Sequence, residues 1–206
     1  MNALPTLLRS KRANFAGAVV LAWAWGMFSY AHTLAFLSSG DWTYLLFAAS
    51  ETLAAVLFLL RSEAVTVSAD PTDWLLAISA TFAPFFFSPA ADALLPDARL
   101  ALVPGIAIQI AGLASLNRSY GLVAAKRTIK TGGMYRFVRH PMYASYLLSF
   151  TAYVLANTSA ANALTYVVAL ALLLLRMLRE ERHLGLDPLY RAYMQQVPYR
   201  VLPWIF

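Results

Sequence analysis

Residues 15–37 read FAGAVVLAWAWGMFSYAHTLAFL, 23 consecutive positions without Asp, Glu, Lys or Arg. A helix rising about 1.5 Å per residue crosses a hydrocarbon core of about 30 Å in that length. The run is too long for the apolar region of a signal peptide. It ends in Leu37-Ser-Ser-Gly-Asp41 without a clear cleavage site, so it reads as a retained first span. Working outward, Trp42–Leu60 is a second apolar run, interrupted only by Glu51. Trp74–Ser88 is a third, shorter and broken by Pro84, and Leu100–Leu116 is a fourth. A polar, basic stretch, Asn117–Pro141, comes next. Met142–Ala156 and Ala160–Leu175 follow, joined by the turn-like Asn157-Thr158-Ser159. Each spans roughly 23 Å as a helix. The pair is expected to form a hairpin that enters the bilayer without fully crossing it. The predicted fold is an all-α integral membrane protein with four transmembrane helices plus a C-terminal helical hairpin. Residues 1–116 form its transmembrane part, and residues 117–206 carry nearly all the polar chemistry.

The charges support this map. With the N-terminus in the cytoplasm and four crossings, Arg9, Lys11, Arg12, Arg61, Arg118, Lys126, Arg127, Lys130, Arg136 and Arg139 fall on the cytoplasmic side. After a hairpin, so do Arg176, Arg179, Arg182, Arg191 and Arg200. Of the 16 basic residues only Arg99 falls outside, beside Asp41, Asp92 and Asp97. That is strong positive-inside bias, with both termini cytoplasmic. It accounts for the net charge of +6 without nucleic acid. With 60% apolar and 13% charged residues the chain is neither an ordinary soluble domain nor a disordered one. The absence of cysteine excludes disulfides, a thiol nucleophile and thiolate zinc sites. The three histidines are far apart, so no metal site is expected. The small size and Ala/Leu-rich composition point to a bacterial inner membrane.

Two clusters stand out in the C-terminal part. Arg127-Thr-Ile-Lys-Thr-Gly-Gly-Met-Tyr-Arg-Phe-Val-Arg-His-Pro-Met-Tyr143 packs four basic residues, a His and two Tyr into 17 positions. Gly132-Gly133 permits a turn with positive φ. Pro141 disfavours helical geometry at His140 and is tolerated at a helix start. A loop feeding a helix N-terminus there favours an anionic ligand group. Two readings are open: a ligand site, or a basic loop at the headgroup level. In the second cluster, Arg176, Glu180 and His183 stand at i, i+4 and i+7, on one helical face, with Arg179 at its edge. A solvated helix end with ordinary ion pairs is the plain alternative. Against it, Arg176 follows Leu172-Leu-Leu-Leu175 directly, and ionisable groups near hydrocarbon face a cavity or a partner.

In order, these blocks resemble one family. Gly133-Met-Tyr135-Arg-Phe-Val-Arg139-His140-Pro141-Met-Tyr143 is similar to the G-x-Y-x-x-x-R-H-P-x-Y signature of isoprenylcysteine carboxyl methyltransferases and their prokaryotic relatives. Arg176-x-x-x-Glu180-Glu181-x-x-Leu184 and Tyr190-x-x-Tyr193-x-x-x-Val197-Pro198 resemble its downstream pattern. The resemblance implies a membrane methyltransferase that uses S-adenosylmethionine in a cytoplasm-facing cofactor pocket and takes a lipidic or lipid-modified substrate. By position in the motif, Arg127, Thr128, Ile129 and Lys130 align with a cofactor-contacting stretch; Arg127 stands where eukaryotic members have His. Tyr135 and His140, Pro141, Met142 and Tyr143 align with further cofactor contacts. Glu180 aligns with the acidic cofactor contact and Arg176 with the substrate-side arginine, which makes these two the catalytic candidates. His140 and Arg139, near a helix start, can hold the cofactor carboxylate, and His183 joins the cofactor-binding set from the shared helix face. No G-x-G-x-x-G turn of the soluble nucleotide-binding kind is present.

An arginine beside the acceptor suits an anion, which favours O-methylation of a carboxylate. The alternatives are an ethanolamine-type phospholipid N-methyltransferase and a non-catalytic membrane protein that retains the fold. His32 and Glu51, inside the first two runs, read as an interhelical contact, or Glu51 as protonated. Gln109 and Asn117 read as interhelical contacts, and Trp42, Trp74 and Trp204 as interfacial anchors.

Overall fold

The computed structural model describes residues 11–206; Arg9 and the N-terminal end lie outside them. The described residues form seven α-helices: α1 (Lys11–Ser39), α2 (Thr43–Leu60), α3 (Pro71–Phe82), α4 (Leu102–Leu116), α5 (Pro141–Ala156), α6 (Ala160–Leu184) and α7 (Pro188–Gln196). Local sequence explains the starts of α3, α5, α6 and α7. Asp70, Ser159 and Asp187 each accept a backbone N–H from the first turn of α3, α6 and α7, and Pro71, Pro141 and Pro188 occupy first-turn positions. The start at Pro141, with His140 outside the helix at φ −130, follows the X-Pro reading. The positive φ permitted at Gly132-Gly133 is taken up at Gly133 (φ 59). Ser115 occupies the space a side chain would need there, and its Oγ accepts the Met134 N–H at 3.1 Å.

Four helical stretches among the described residues are long and apolar enough to cross a membrane: Asn14–Ser39, Thr43–Leu60, Pro96–Ser119 and Ala160–Leu184. These are not the four that run lengths indicated. The third expected span, Trp74–Ser88, yields only the 12-residue α3, followed by a 3-10 turn at Ala83–Phe86. Pro84 removes a donor and crowds the preceding turn, so the α-helix cannot continue. The fourth place goes to α6, which does not stop at Leu175. Its 25 residues, about 37 Å, run on through Arg176–Leu184, because the arginines and glutamates there are good helix formers. A half-inserted α6 is therefore not what its length indicates. A further departure from an all-helical chain is a short antiparallel ribbon, β1 (Thr66–Val67) with β2 (Ala125–Lys126).

Helices α1 and α2 form an antiparallel pair turning at Gly40 (φ 71). His32 Nδ1 and Glu51 Oε2 meet at 2.9 Å, and Ser29 and Thr52 hydroxyls at 2.7 Å. Helices α4 and α5 approach closely at Gly105 and Gly112, where added side chains would meet Ser149 and Met142. At one end of the bundle, Leu95 N–H bonds Leu155 O and Thr158 N–H bonds Asp92 O. Asn162 there pairs with Ser88 through both its amide groups. Arg99 lies at this end with the acidic residues. The opposite end gathers the starts of α1, α3 and α5, the ends of α2, α4 and α6, the ribbon, α7 and the tail. There Arg61 donates to Asn14 O, Ser62 N–H to Arg118 O, and Arg179 to Asp73 (2.5 Å) and Asp70. Asn117 terminates α4 with a positive φ (49) and turns the chain into the basic loop.

Candidate functional site

A cavity of about 250 Å³ opens among the helices at the basic end and runs inward between them. Arg127, Thr128, Ile129, Lys130, Tyr135, Arg139, His140, Met142, Tyr143, Arg176 and Glu180 all line it, drawn from the basic loop, α5 and α6. Two residues singled out from the sequence do not. Pro141 is enclosed in the first turn of α5. His183 points elsewhere, its Nε2 3.2 Å from Thr66 Oγ1 on the ribbon. The helical arithmetic accounts for this. The face of α6 on the cavity is Leu173, Arg176, Glu180 and Leu184, whereas His183 lies on the side of Arg179, which meets Asp70 and Asp73.

Arg176 reaches across the cavity. It donates to Leu122 O at 2.6 Å and Thr81 Oγ1 at 3.2 Å, and its guanidinium carbon lies 5.9 Å from the Tyr143 ring centre. No carboxylate lies within ion-pair distance of it among the described residues. One turn on, Glu180 accepts the Tyr143 hydroxyl at 2.9 Å. Burial, and next the nearby Glu180 charge, push the Tyr135 phenol well above its usual range, so it is a neutral donor. The hydroxyls of Tyr135 and Tyr146, both on the cavity, have no hydrogen-bond partner among the described residues. Arg127 is tied by one bond, Nε to Ser62 O at 3.0 Å. Burial, then repulsion from Arg61, lower its pKa to about 10, so it stays charged at neutral pH.

Arg139 and His140 line the cavity, but their side chains also make bonds elsewhere. Their donors turn to Glu181, the buried neighbour of Glu180. Arg139 Nε lies 2.7 Å and His140 Nε2 3.1 Å from Glu181 Oε1, and Arg200 Nε is 2.8 Å from Oε2. Arg139 also donates to the carbonyls of Val197 and Pro198 at 2.8 and 2.7 Å. The backbone N–H groups of Arg139 and His140 bond Tyr199 O and Arg200 O. This cluster fastens the C-terminal tail across the basic loop. Tyr190 and Tyr193 of α7, which sequence reasoning did not assign, thereby close the cavity, with Tyr193 Oη donating to Tyr135 O at 2.6 Å. Glu181 was within the quoted motif but was given no role. The available signal was its adjacency to Glu180, which places it about 100° around the helix.

Away from the basic end the lining becomes aromatic and apolar, with Trp25, Phe28, Pro84, Phe85 and Phe150. The cavity thus joins a cationic, hydroxyl-bearing mouth to an oily interior. Among the described residues, no group of three or more His, Asp or Glu is arranged to hold a metal ion.

Residues 104–191 match the family model described as phospholipid methyltransferase, which belongs to the same clan of families as the isoprenylcysteine carboxyl methyltransferases. The match spans α4 to the start of α7, and so includes every site residue that sequence reading singled out. It supports a methyltransferase that acts on lipid in a membrane, in keeping with the four long apolar helices. No curated protein matches the chain.

Proposed function

We infer that the chain transfers a methyl group from S-adenosylmethionine to the carboxylate of a lipidic acceptor. The basic end would face the cytoplasm with both termini on that side, a reading the one-sided charge supports. The observation that carries the carboxylate reading is Arg176. Its guanidinium lines the cavity and, among the described residues, is hydrogen-bonded only to neutral oxygens, with Glu180 one turn away on the same helix. A guanidinium so placed favours an anion, which it can grip with two parallel bonds, and repels an ammonium.

The cavity's donor set fits the cofactor. Lys130 and Arg127 supply cations for its carboxylate, in place of the engaged Arg139 and His140. Glu180 supplies an acceptor for its ammonium or ribose. Tyr135 and Tyr143 supply ring faces for the adenine or the sulfonium, and the unpartnered hydroxyls of Tyr135 and Tyr146 supply further bonds. When bound, S-adenosylmethionine contributes an electrophilic methyl group on a positively charged sulfur. The protein's share is positioning and exclusion of water. Arg176 orients the acceptor, α7 and the tail cover the mouth, and the aromatic interior receives the chain. A carboxylate is already ionised at neutral pH and needs no base.

A second reading, an amine acceptor, draws on the phospholipid methyltransferase match. There Glu180, hydrogen-bonded to Tyr143, is the group available to take up the proton. Purified protein given methyl-labelled S-adenosylmethionine and a lipid extract separates the two. The carboxylate reading expects base-labile label and a rate nearly flat from about pH 6 to 8. Base-stable label, with a rate rising about tenfold per pH unit, would establish the amine reading instead.

A further inference from the structure

The oily interior of the cavity contains two polar side chains that the reaction does not use. Glu51 is on α2 and Gln109 on α4, each near the middle of its helix, and both line the cavity. Glu51 Oε2 is held by His32, but Oε1 has no partner among the described residues. The Gln109 amide makes no hydrogen bond to any described residue. Several other polar groups in the bundle are satisfied locally, although the small buried hydroxyls of Ser50 and Ser149 have no partner among the described residues. Ser29 donates to Ala48 O, Thr33 to Ser29 O, and Thr151 meets the Tyr166 hydroxyl. In hydrocarbon an unpaired polar group costs several kcal/mol. Ionisable groups within spans therefore mark a cavity whose contents they recognise.

We propose that Glu51 and Gln109 form a second recognition point for the acceptor, specific for a hydroxyl group carried within its apolar chain. This rests on the reading of the cavity as the place where a lipidic acceptor binds. A carboxylate can only accept, whereas the Gln109 amide can donate. A single hydroxyl answers both, giving its proton to Glu51 Oε1 and accepting from Gln109 Nε2. An unsubstituted hydrocarbon chain leaves both side chains unpaired, and a site built to bond a hydroxyl rejects the analogue that lacks it. The acceptor is thus a hydroxylated lipid chain, gripped by Arg176 at its head and by Glu51 and Gln109 part-way along.

The test is displacement of a fluorescent polyene fatty acid from the full-length protein in detergent, which requires no methyl transfer. Stearate and a series of positional hydroxystearate isomers serve as competitors. One isomer should bind at least about tenfold more tightly than stearate, the size of a hydrogen bond to a charged group, with weaker binding on either side. Glu51→Gln and Gln109→Leu should each flatten that maximum while stearate still displaces the probe, which also shows that the variants are folded. Equal binding across the series, or a maximum that survives both substitutions, overturns the proposal. A maximum without methyl transfer to any isomer leaves the recognition point standing and overturns the carboxylate reaction. Failure of every fatty acid to displace the probe overturns both.

Discussion

Glu180 and Glu181 are adjacent on one helix, and they belong to two different kinds of polar region. Around Glu181 every charge is met. Arg139, His140 and Arg200 converge on one carboxylate, and the leftover donors of Arg139 reach the carbonyls of Val197 and Pro198. Around Glu180, polar groups outnumber partners. Among the described residues Arg176 is hydrogen-bonded only to neutral oxygens and the hydroxyls of Tyr135 and Tyr146 have no partner, and a cavity lies between them. A saturated cluster fixes the chain, whereas an unsaturated one beside a cavity is arranged for a ligand. One step of about 100° around α6 separates the two.

The largest effect is expected from Glu181→Ala. It leaves the Arg139 side chain, only 4% exposed, and His140 without their anion. Removing one partner of a buried ion pair costs about 3–5 kcal/mol. Thermal or denaturant unfolding should register that loss, and proteolysis should find the tail beyond Gln196 released. A variant as stable as the parent would mean that the cluster does not fasten the tail. The next effect is expected on turnover. Arg176→Lys keeps the charge but not the planar fork, and should lower turnover by about 10- to 100-fold while leaving the unfolding midpoint nearly unchanged. His183→Ala, on the other side of the same helix, should alter turnover by no more than about threefold, since it loses only a bond to Thr66. If His183→Ala proved as damaging as Arg176→Lys, the division of α6 into a cavity face and a ribbon face would be wrong.

Much of the cavity was legible from the sequence, because its parts rest on local rules. The i, i+4 relation of Arg176 and Glu180 puts both on the cavity. His140-Pro141 marks the start of α5, and Gly133 takes the positive φ. Apolar run length locates α1, α2 and α4. His32 and Glu51 meet as an interhelical pair, but Glu51 and Gln109 also face the cavity, which pairing alone did not reveal. What escaped depends on distant parts of the chain. The engagement of Arg139 and His140 requires the tail to return beside them, through bonds from residues 139 and 140 to Tyr199 and Arg200. No local pattern encodes that. His183 left the cavity because a seven-residue step drifts about 20° backward, enough to hand it to the ribbon. The ribbon itself is two residues per strand, below any periodicity signal. Trp74–Ser88 misled because apolar content, not helix length, was continuous across Pro84.

Calorimetric titration of S-adenosylmethionine into the purified protein in detergent tests the central claim most directly. The unsaturated region around Glu180 should bind it, and Glu180→Gln should weaken binding by about 10- to 100-fold, the range for a charge-assisted bond, with an unfolding midpoint close to the parent's. Heat of binding that is absent in the parent protein, or identical in Glu180→Gln, would contradict the account.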